Sequence, residues 1–176
     1  MKAFFLAAVS AASCSTAFAQ TATEAAALAQ FKQIVERCAA VFEAGTAVRQ
    51  GSEGKWFKQS LDGLETSFDV KKSDSIVTPY LGTLTVKYVQ QGKSAPTQKE
   101  AHSLTLEPDG PMMRATDVLH FVFREGRWEG VSVEDRKELR SSAGKPFEKL
   151  TPFKRSKAEL SPTGWHGKCL NLTSKA

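Results

Sequence analysis

The sequence contains few of the residues and motifs on which catalytic and metal chemistry usually depend. It has three cysteines and three histidines in 176 residues, and they do not occur at the spacings with which zinc sites collect three or four His, Cys or carboxylate ligands. It also has no G-x-S-x-G nucleophile elbow and no phosphate-binding glycine loop. The sequence therefore predicts no metal and no other cofactor, and it favours a non-catalytic protein over an enzyme.

Apolar runs long enough to span a membrane are also absent, so no transmembrane segment is predicted. An almost wholly apolar stretch, residues 3–12, follows Lys2 and precedes Ala17-Phe18-Ala19, which has the form of a bacterial signal-peptidase site. We expect residues 1–19 to be a signal peptide. The protein is then expected to be periplasmic or secreted after cleavage near Ala19.

Of the three cysteines, Cys14 would leave with the signal peptide. The alternative is a lipoprotein anchored through Cys14, although a lipobox normally has leucine three residues before its cysteine and this chain has Ala11 there. Cys38 and Cys169 then remain in an oxidising compartment with only each other as partner, which predicts one disulfide. A bond that closes so long a loop contributes roughly 4 to 5 kcal/mol in the chain-entropy model.

Helical periodicity is strongest shortly after the signal peptide. Between residues 23 and 48, apolar side chains recur at steps of three and four with charged side chains between them, which is typical of an amphipathic helix. Thr23 is a suitable N-cap and Gly45 a suitable stop. The apolar stripe consists of Leu28, Phe31, Val35, Cys38 and Phe42.

After this helix, short runs rich in β-branched and aromatic residues alternate with turn-forming segments. Residues 50–63 are polar and contain glycine, so they are predicted to form a loop. The fold class is therefore α+β, with one long N-terminal helix packed on a curved antiparallel meander of about five strands. The predicted strands lie near residues 66–70, 80–90, 102–106, 118–123 and 128–133.

The tightest link between strands, Glu125-Gly126, allows the register of one hairpin to be predicted. A two-residue loop pairs the residues on either side of it in order: Phe123 with Trp128, Phe121 with Gly130, and Leu119 with Ser132. In this register Leu119, Phe121 and Phe123 share one face of the sheet. We expect that face to pack against the N-terminal helix.

The basic excess of the chain is confined to its last quarter. Residues 135–176 contain ten basic and four acidic side chains, whereas residues 20–134 carry a small acidic excess. We therefore predict a roll domain over residues 20–134 and a basic, loop-rich extension over residues 135–176. Because the extension also contains several aromatic residues, it is expected to drape over the second face of the sheet, with Cys169 as its clamp.

Basic side chains in this extension cluster around Pro152 and suggest a binding surface. A basic segment attracts an acidic protein partner or an anionic envelope component, and salt screens that attraction. No nucleic acid partner is expected, and the alternative is a solvated surface without a partner. The residues of the predicted surface are Lys149, Phe153, Lys154, Arg155 and Lys157.

The three histidines are the obvious candidates for chemistry. On the predicted strands His102 and His120 point to opposite faces of the sheet, so they cannot form a dyad. Each is interpreted as a partly buried side chain with ordinary hydrogen bonds. His166 lies in a glycine-flanked turn beside Cys169 and is interpreted as a loop anchor.

The long N-terminal helix, the curved antiparallel sheet and the late hairpin at residues 121–128 together resemble the NTF2-like and cystatin-like rolls. Enzymes of that superfamily, such as isomerases and dehydratases, place a His or an Asp in a cone between helix and sheet. The resemblance implies His102 and Asp117 as the residues of such a pocket. A small pocket enzyme is therefore the alternative to a non-catalytic binding protein.

The disulfide is directly testable on protein taken from the envelope. Labelling of the denatured, unreduced protein with a thiol reagent should find no free thiol on the mature chain, because Cys38 and Cys169 are expected to be oxidised together. Labelling after reduction should find two thiols. Two labelled cysteines without reduction would contradict the prediction.

Overall fold

The computed structural model describes residues 24–42, 45–50, 54–162 and 164–172. The predicted signal peptide, Cys14 and the predicted N-cap Thr23 lie outside the described residues. Within them, three α-helices and seven β-strands follow one another in the order α1 (Glu24–Val41), β1 (Gly45–Gln50), β2 (Trp56–Lys72), β3 (Tyr80–Ala95), α2 (Gln98–Ser103), β4 (Met112–Arg124), β5 (Arg127–Arg140), β6 (Glu148–Lys149), β7 (Phe153–Ser156) and α3 (Trp165–Leu170).

The strands form one antiparallel sheet, so the predicted α+β class is confirmed. The first five strands are neighbours in chain order, and β6 and β7 both pair with β5. Consecutive antiparallel strands need only short connections, which the sequence supplies. No helix among the residues described above is long and apolar enough to cross a membrane.

Helix α1 packs on one face of this sheet through its apolar stripe. The ring of Phe31 lies 5.3 Å from that of Phe121 and 4.6 Å from that of Trp128, measured between centroids. The indole nitrogen of Trp128 donates a hydrogen bond to the Ala27 carbonyl at 2.9 Å. The predicted packing of the hairpin against the N-terminal helix is therefore confirmed.

Two segments differ from their predicted secondary structure. The predicted loop at residues 50–63 is largely strand, because residues 56–61 pair with β1 on one side and with β3 on the other. Their polar composition did not indicate a strand, since strand preference depends on the pairing partners. The helical period was predicted to extend to Val48 with Gly45 as a stop, but Gly45–Gln50 forms the edge strand β1.

The predicted strand at residues 102–106 was wrong, because His102 lies in the short helix α2. Thr97 and Glu100 form a capping box: the Thr97 hydroxyl accepts from the Glu100 amide at 3.2 Å, and the Glu100 carboxylate accepts from the Thr97 amide at 3.1 Å. These two bonds satisfy amides that the first helical turn leaves without partners. The cap therefore favours a helix where the alternation of apolar residues suggested a strand.

The β4–β5 hairpin has the predicted two-residue loop. Glu125 and Gly126 both have positive φ, 51° and 77°, as a type I′ turn requires. The predicted pairs of Phe123 with Trp128 and of Phe121 with Gly130 are present, but Leu119 pairs with Val133. One additional residue in β5 shifts the register between His120 and Phe121, so the prediction of Ser132 opposite Leu119 was wrong.

The C-terminal segment was predicted to drape over the second face of the sheet, but it adds strands to the sheet and its helix α3 packs on the first face. Strand β5 continues to Arg140, so the boundary placed between residues 134 and 135 falls inside a strand. Strands β6 and β7 then extend the sheet at the edge of β5, while α3 packs against the helix-covered face. The predicted disulfide between Cys38 of α1 and Cys169 of α3 is present, with Cα atoms 5.0 Å apart.

The close approach of α3 to the sheet requires glycine at position 130. A Cβ atom there would meet the carbonyl oxygen of Leu170 and would lie 2.7 Å from its Cα. We expect Gly130→Ala to lower the free energy of unfolding by about 1 to 3 kcal/mol, because backbone atoms cannot move aside as a flexible side chain can. Urea unfolding measures the change.

Gly92→Ala is the matched control in the same sheet. A Cβ atom at position 92 meets nothing closer than the Lys58 carbonyl oxygen at 3.5 Å, which is an ordinary contact. Its stability should stay within about 0.5 kcal/mol of the wild type. Equal losses for the two variants would show that α3 does not pack on the sheet in this way.

Candidate functional site

A concave groove lies on the sheet face opposite α1. Its cavity volume is about 530 Å³. Strands β2 to β5 form its floor, and the chain between β6 and β7 forms one wall. The residues lining it are Gly63, Glu65, Lys87, Tyr88, Val89, Arg114, Ala115, Thr116, Arg136, Lys137, Glu138, Lys149, Leu150 and Pro152.

Strand register explains why the groove is basic. Along the strands, side chains alternate between the face that α1 covers and the face that contains the groove. This alternation places four basic side chains on the groove face, Lys87, Arg114, Arg136 and Lys149, and two acidic ones, Glu65 and Glu138. The groove therefore has a formal charge of +2 from these side chains.

Two of these basic side chains are held in place by neighbours. The guanidinium of Arg114 lies over the ring of Phe147, 3.9 Å from its centroid. Arg136 donates a hydrogen bond to the partly exposed carboxylate of Glu134 at 2.7 Å. The cation–π contact fixes the side chain of Arg114 without neutralising its charge, so the guanidinium can still attract an anion. The groove thus presents oriented cations beside the apolar surface of Val89 and Leu150.

The five residues of the predicted basic surface do not form one cluster. Lys149 pairs with Glu138 and Lys154 with Glu134, so both lie on the groove face. Phe153 and Arg155 alternate with Lys154 along β7 and lie on the other face, where Phe153 is exposed. Lys157 follows β7 in a 3-10 turn and is half-buried. Strand β7 therefore separates side chains that are adjacent in sequence.

On the face covered by the helices, two carboxylates lie directly opposite each other on β4 and β5. Asp117 is fully buried and Asp135 is 4% exposed. Nε2 of His166, on α3, lies 2.9 Å from Asp117 Oδ2 and 3.7 Å from Asp135 Oδ1. Arg155 donates to Asp135 Oδ2 at 2.6 Å. These four residues, called here the buried acid cluster, join α3 and β7 to the centre of the sheet.

Aromatic side chains enclose the buried acid cluster. The rings of Trp165 and His166 are stacked with centroids 3.9 Å apart. Burial is the main cause that raises the pKa of the Tyr88 phenol. The negative charge of the nearby Asp117 carboxylate raises this pKa further, and so does the hydrogen bond that the phenol donates to it. Tyr88 therefore stays protonated and neutral beside the two carboxylates, where a further negative charge would be costly.

The predicted pocket pair, His102 and Asp117, is not brought together. His102 is exposed on α2, and its carbonyl accepts a hydrogen bond from Lys58 near the start of β2. The partner of Asp117 is His166, which the sequence suggested only as a loop anchor. A buried aspartate inside an apolar strand was the available signal for this site, but nothing local indicates which distant histidine reaches it.

His120 lies on the groove face, opposite the set that contains Leu119 and Phe121, as predicted. Its side chain is half-buried. Desolvation by burial lowers the pKa of its imidazole, and the positive charge of Lys154 lowers it further. His120 is therefore separated by the sheet from the buried acid cluster and cannot contribute to it.

Comparison of the chain with protein family models, with curated proteins and with solved structures finds no match. The resemblance to the NTF2-like and cystatin-like rolls therefore stays a prediction based on the layout of helix and sheet. Function has to be inferred from the groove and from the buried acid cluster themselves.

The environment of Tyr88 predicts a specific loss of stability at alkaline pH. An unfolded tyrosine ionises near pH 10, whereas folded Tyr88 holds its proton to higher pH. Above pH 10 the unfolded state thus binds fewer protons than the folded state, and stability falls by up to about 1.4 kcal/mol per pH unit from this residue. The Tyr88→Phe variant should lack this part of the loss.

Urea unfolding of the wild type and of Tyr88→Phe between pH 9 and pH 11.5 measures this difference. Tyr80→Phe serves as the control for removing a phenol elsewhere in the same core. Lysine deprotonation affects all three proteins alike, so the comparison isolates Tyr88. Parallel curves for the wild type and Tyr88→Phe would contradict the assignment.

Proposed function

We propose that this protein is an exported, non-catalytic binding module of the bacterial envelope, and that its groove takes an anionic ligand. The ligand is an anionic envelope component or an acidic segment of a protein partner. The observation that carries the proposal is the basic groove, because it combines a concave shape with several cations, of which Arg114 is held over the ring of Phe147. The buried acid cluster lies on the other face of the sheet and has no part in this binding.

The dimensions of the groove support a ligand site. Small-molecule sites in proteins usually have volumes of about 300 to 1,000 Å³ and combine apolar walls with a few oriented polar groups. The groove has about 530 Å³, apolar surface from Val89 and Leu150, and cations from Lys87, Arg114 and Lys149. Anionic groups such as phosphate or carboxylate match these cations.

Placement in the envelope rests on two features of the chain. The signal-like residues 1–19 predict export, and the disulfide of Cys38 with Cys169 suits an oxidising compartment. In the envelope, anionic lipid headgroups and acidic polymers are abundant ligands for a basic surface. The enzyme alternative would need His102 and Asp117 together, and they lie on separate elements, so we favour the binding module.

Charge removal inside the groove tests the proposal. We expect the triple variant Lys87→Gln, Arg114→Gln, Lys149→Gln to lose affinity for an anionic envelope ligand by about tenfold to a hundredfold at low salt. The reason is that each cation near an anionic surface contributes about 1 kcal/mol. The measurements are co-sedimentation with vesicles containing 30% phosphatidylglycerol and capture from envelope extract after mild crosslinking.

A matched control removes the same charge elsewhere. The triple variant Lys72→Gln, Lys99→Gln, Lys145→Gln changes three exposed lysines outside the groove. It should bind like the wild type, and both variants should keep the wild-type melting temperature, since surface charges contribute little to stability. Equal binding by the groove variant and the wild type at low salt would overturn the proposal.

A further inference from the structure

We propose that Asp117, Asp135 and His166 form a binding site for one divalent transition-metal ion of the Zn²⁺ type. This site is separate from the groove and does not depend on the proposed function. The sequence predicted no metal, because the three residues are far apart along the chain. Strand pairing and the packing of α3 bring them together.

The ligand atoms have the separation that one ion requires. One atom from each of the three side chains lies within 4.8 Å of the other two. The imidazole Nε2 is 2.9 Å from Asp117 Oδ2 and 3.7 Å from Asp135 Oδ1. Ligands about 2.1 Å from a zinc ion lie about 3.0 to 3.4 Å from one another, depending on the coordination geometry. The two observed distances lie on either side of that range, so small side-chain movements suffice.

Unpaired carboxylate oxygens provide the second and independent reason. Asp117 Oδ1 and Asp135 Oδ1 are both buried and have no hydrogen-bond partner among the described residues. An unsatisfied buried polar atom costs about 1 to 3 kcal/mol, and more when it is charged. Arg155 occupies the other oxygen of Asp135 and leaves Oδ1 on the side of His166. An ion bound by His166 Nε2, Asp117 Oδ2 and Asp135 Oδ1 would satisfy the unpaired oxygen of Asp135.

Neighbouring groups hold the proposed ligands in position. Arg155 orients the Asp135 carboxylate, Tyr88 faces Asp117, and stacking on Trp165 fixes the plane of the His166 ring. Groups of this kind around metal ligands typically change metal affinity by tenfold to a hundredfold. The disulfide at Cys169 ties the helix that carries His166 to α1. The site is therefore held by rigid elements on every side.

Donor chemistry determines the class of ion. One imidazole nitrogen with two carboxylate oxygens suits Zn²⁺ and its first-row neighbours, whereas Ca²⁺ and Mg²⁺ prefer oxygen alone. The His166 side chain is 16% exposed, whereas the side chains of Asp117 and Asp135 are 0% and 4% exposed. An ion can approach from the side of His166, and a water molecule can complete its coordination.

Calorimetric titration of the untagged mature chain with Zn²⁺ tests the site. The protein is first treated with EDTA and dialysed into a non-chelating buffer. We expect one ion to bind per chain, and we expect His166→Gln and Asp135→Asn each to weaken binding at least tenfold. His102→Gln, which removes an exposed histidine on α2, should bind Zn²⁺ like the wild type. The triple groove variant should do the same, which separates this test from that of the proposed function.

Imidazole NMR signals of the wild type test the site without any substitution. Of the three histidines, only His166 should shift when Zn²⁺ is added to the wild type. No binding at 100 µM Zn²⁺ would overturn the proposal, as would equal binding by His166→Gln or a shift confined to His102. Binding of Ca²⁺ or Mg²⁺ in preference to Zn²⁺ would overturn it as well, because His166 would then have no role.

Discussion

The register between β4 and β5 determines what lies beneath each helix. The type I′ turn at Glu125-Gly126 starts the pairing so that Phe121, Phe123 and Trp128 face α1. The bulge beyond Gly130 then shifts the pairing of all later residues of β5 with β4 by one position. Without it Asp117 would face Glu134, and Asp135 would point to the groove face. With it, two carboxylates lie opposite each other on the covered face.

Two like charges in directly opposite positions of a sheet repel each other, and burial increases the cost. The C-terminal segment supplies the groups that offset it, because β7 brings Arg155 to one carboxylate and α3 brings His166 to the other. The disulfide holds α3 where His166 can reach them. The packing of the C-terminal segment and the burial of the two carboxylates therefore depend on each other. The proposed metal ion would add a further positive charge beside these carboxylates.

The two faces of the sheet thus have different roles. One face is closed by α1 and α3 over an aromatic core, and both buried carboxylates, Asp117 and Asp135, lie on this face. The basic groove lies on the other face, and none of the residues that line it belongs to a helix. A ligand in the groove would contact strands whose opposite sides are fixed by the core. This arrangement suits a rigid, preformed binding surface, which lowers the entropic cost of binding.

Local physical chemistry is enough to predict several features from the sequence alone. The amphipathic stripe of α1 follows from the helical period, and the turn at Glu125-Gly126 follows from the conformations that glycine permits. The disulfide follows from the two cysteines that lie outside the predicted signal peptide. Each of these signals is local or depends on composition, so no knowledge of distant contacts is needed. The α+β class follows from the same signals.

Only the tertiary structure decided the groove and the buried acid cluster. A bulge displaces every later side chain to the other face, yet the residue that forms it, Val131, looks like any other strand residue. Alternation along β7 separates Arg155 from Lys154, so the basic run in the sequence is not one surface. His166 meets Asp117 because a disulfide and strand pairing position α3, and contacts between residues far apart in the chain leave no local pattern to read.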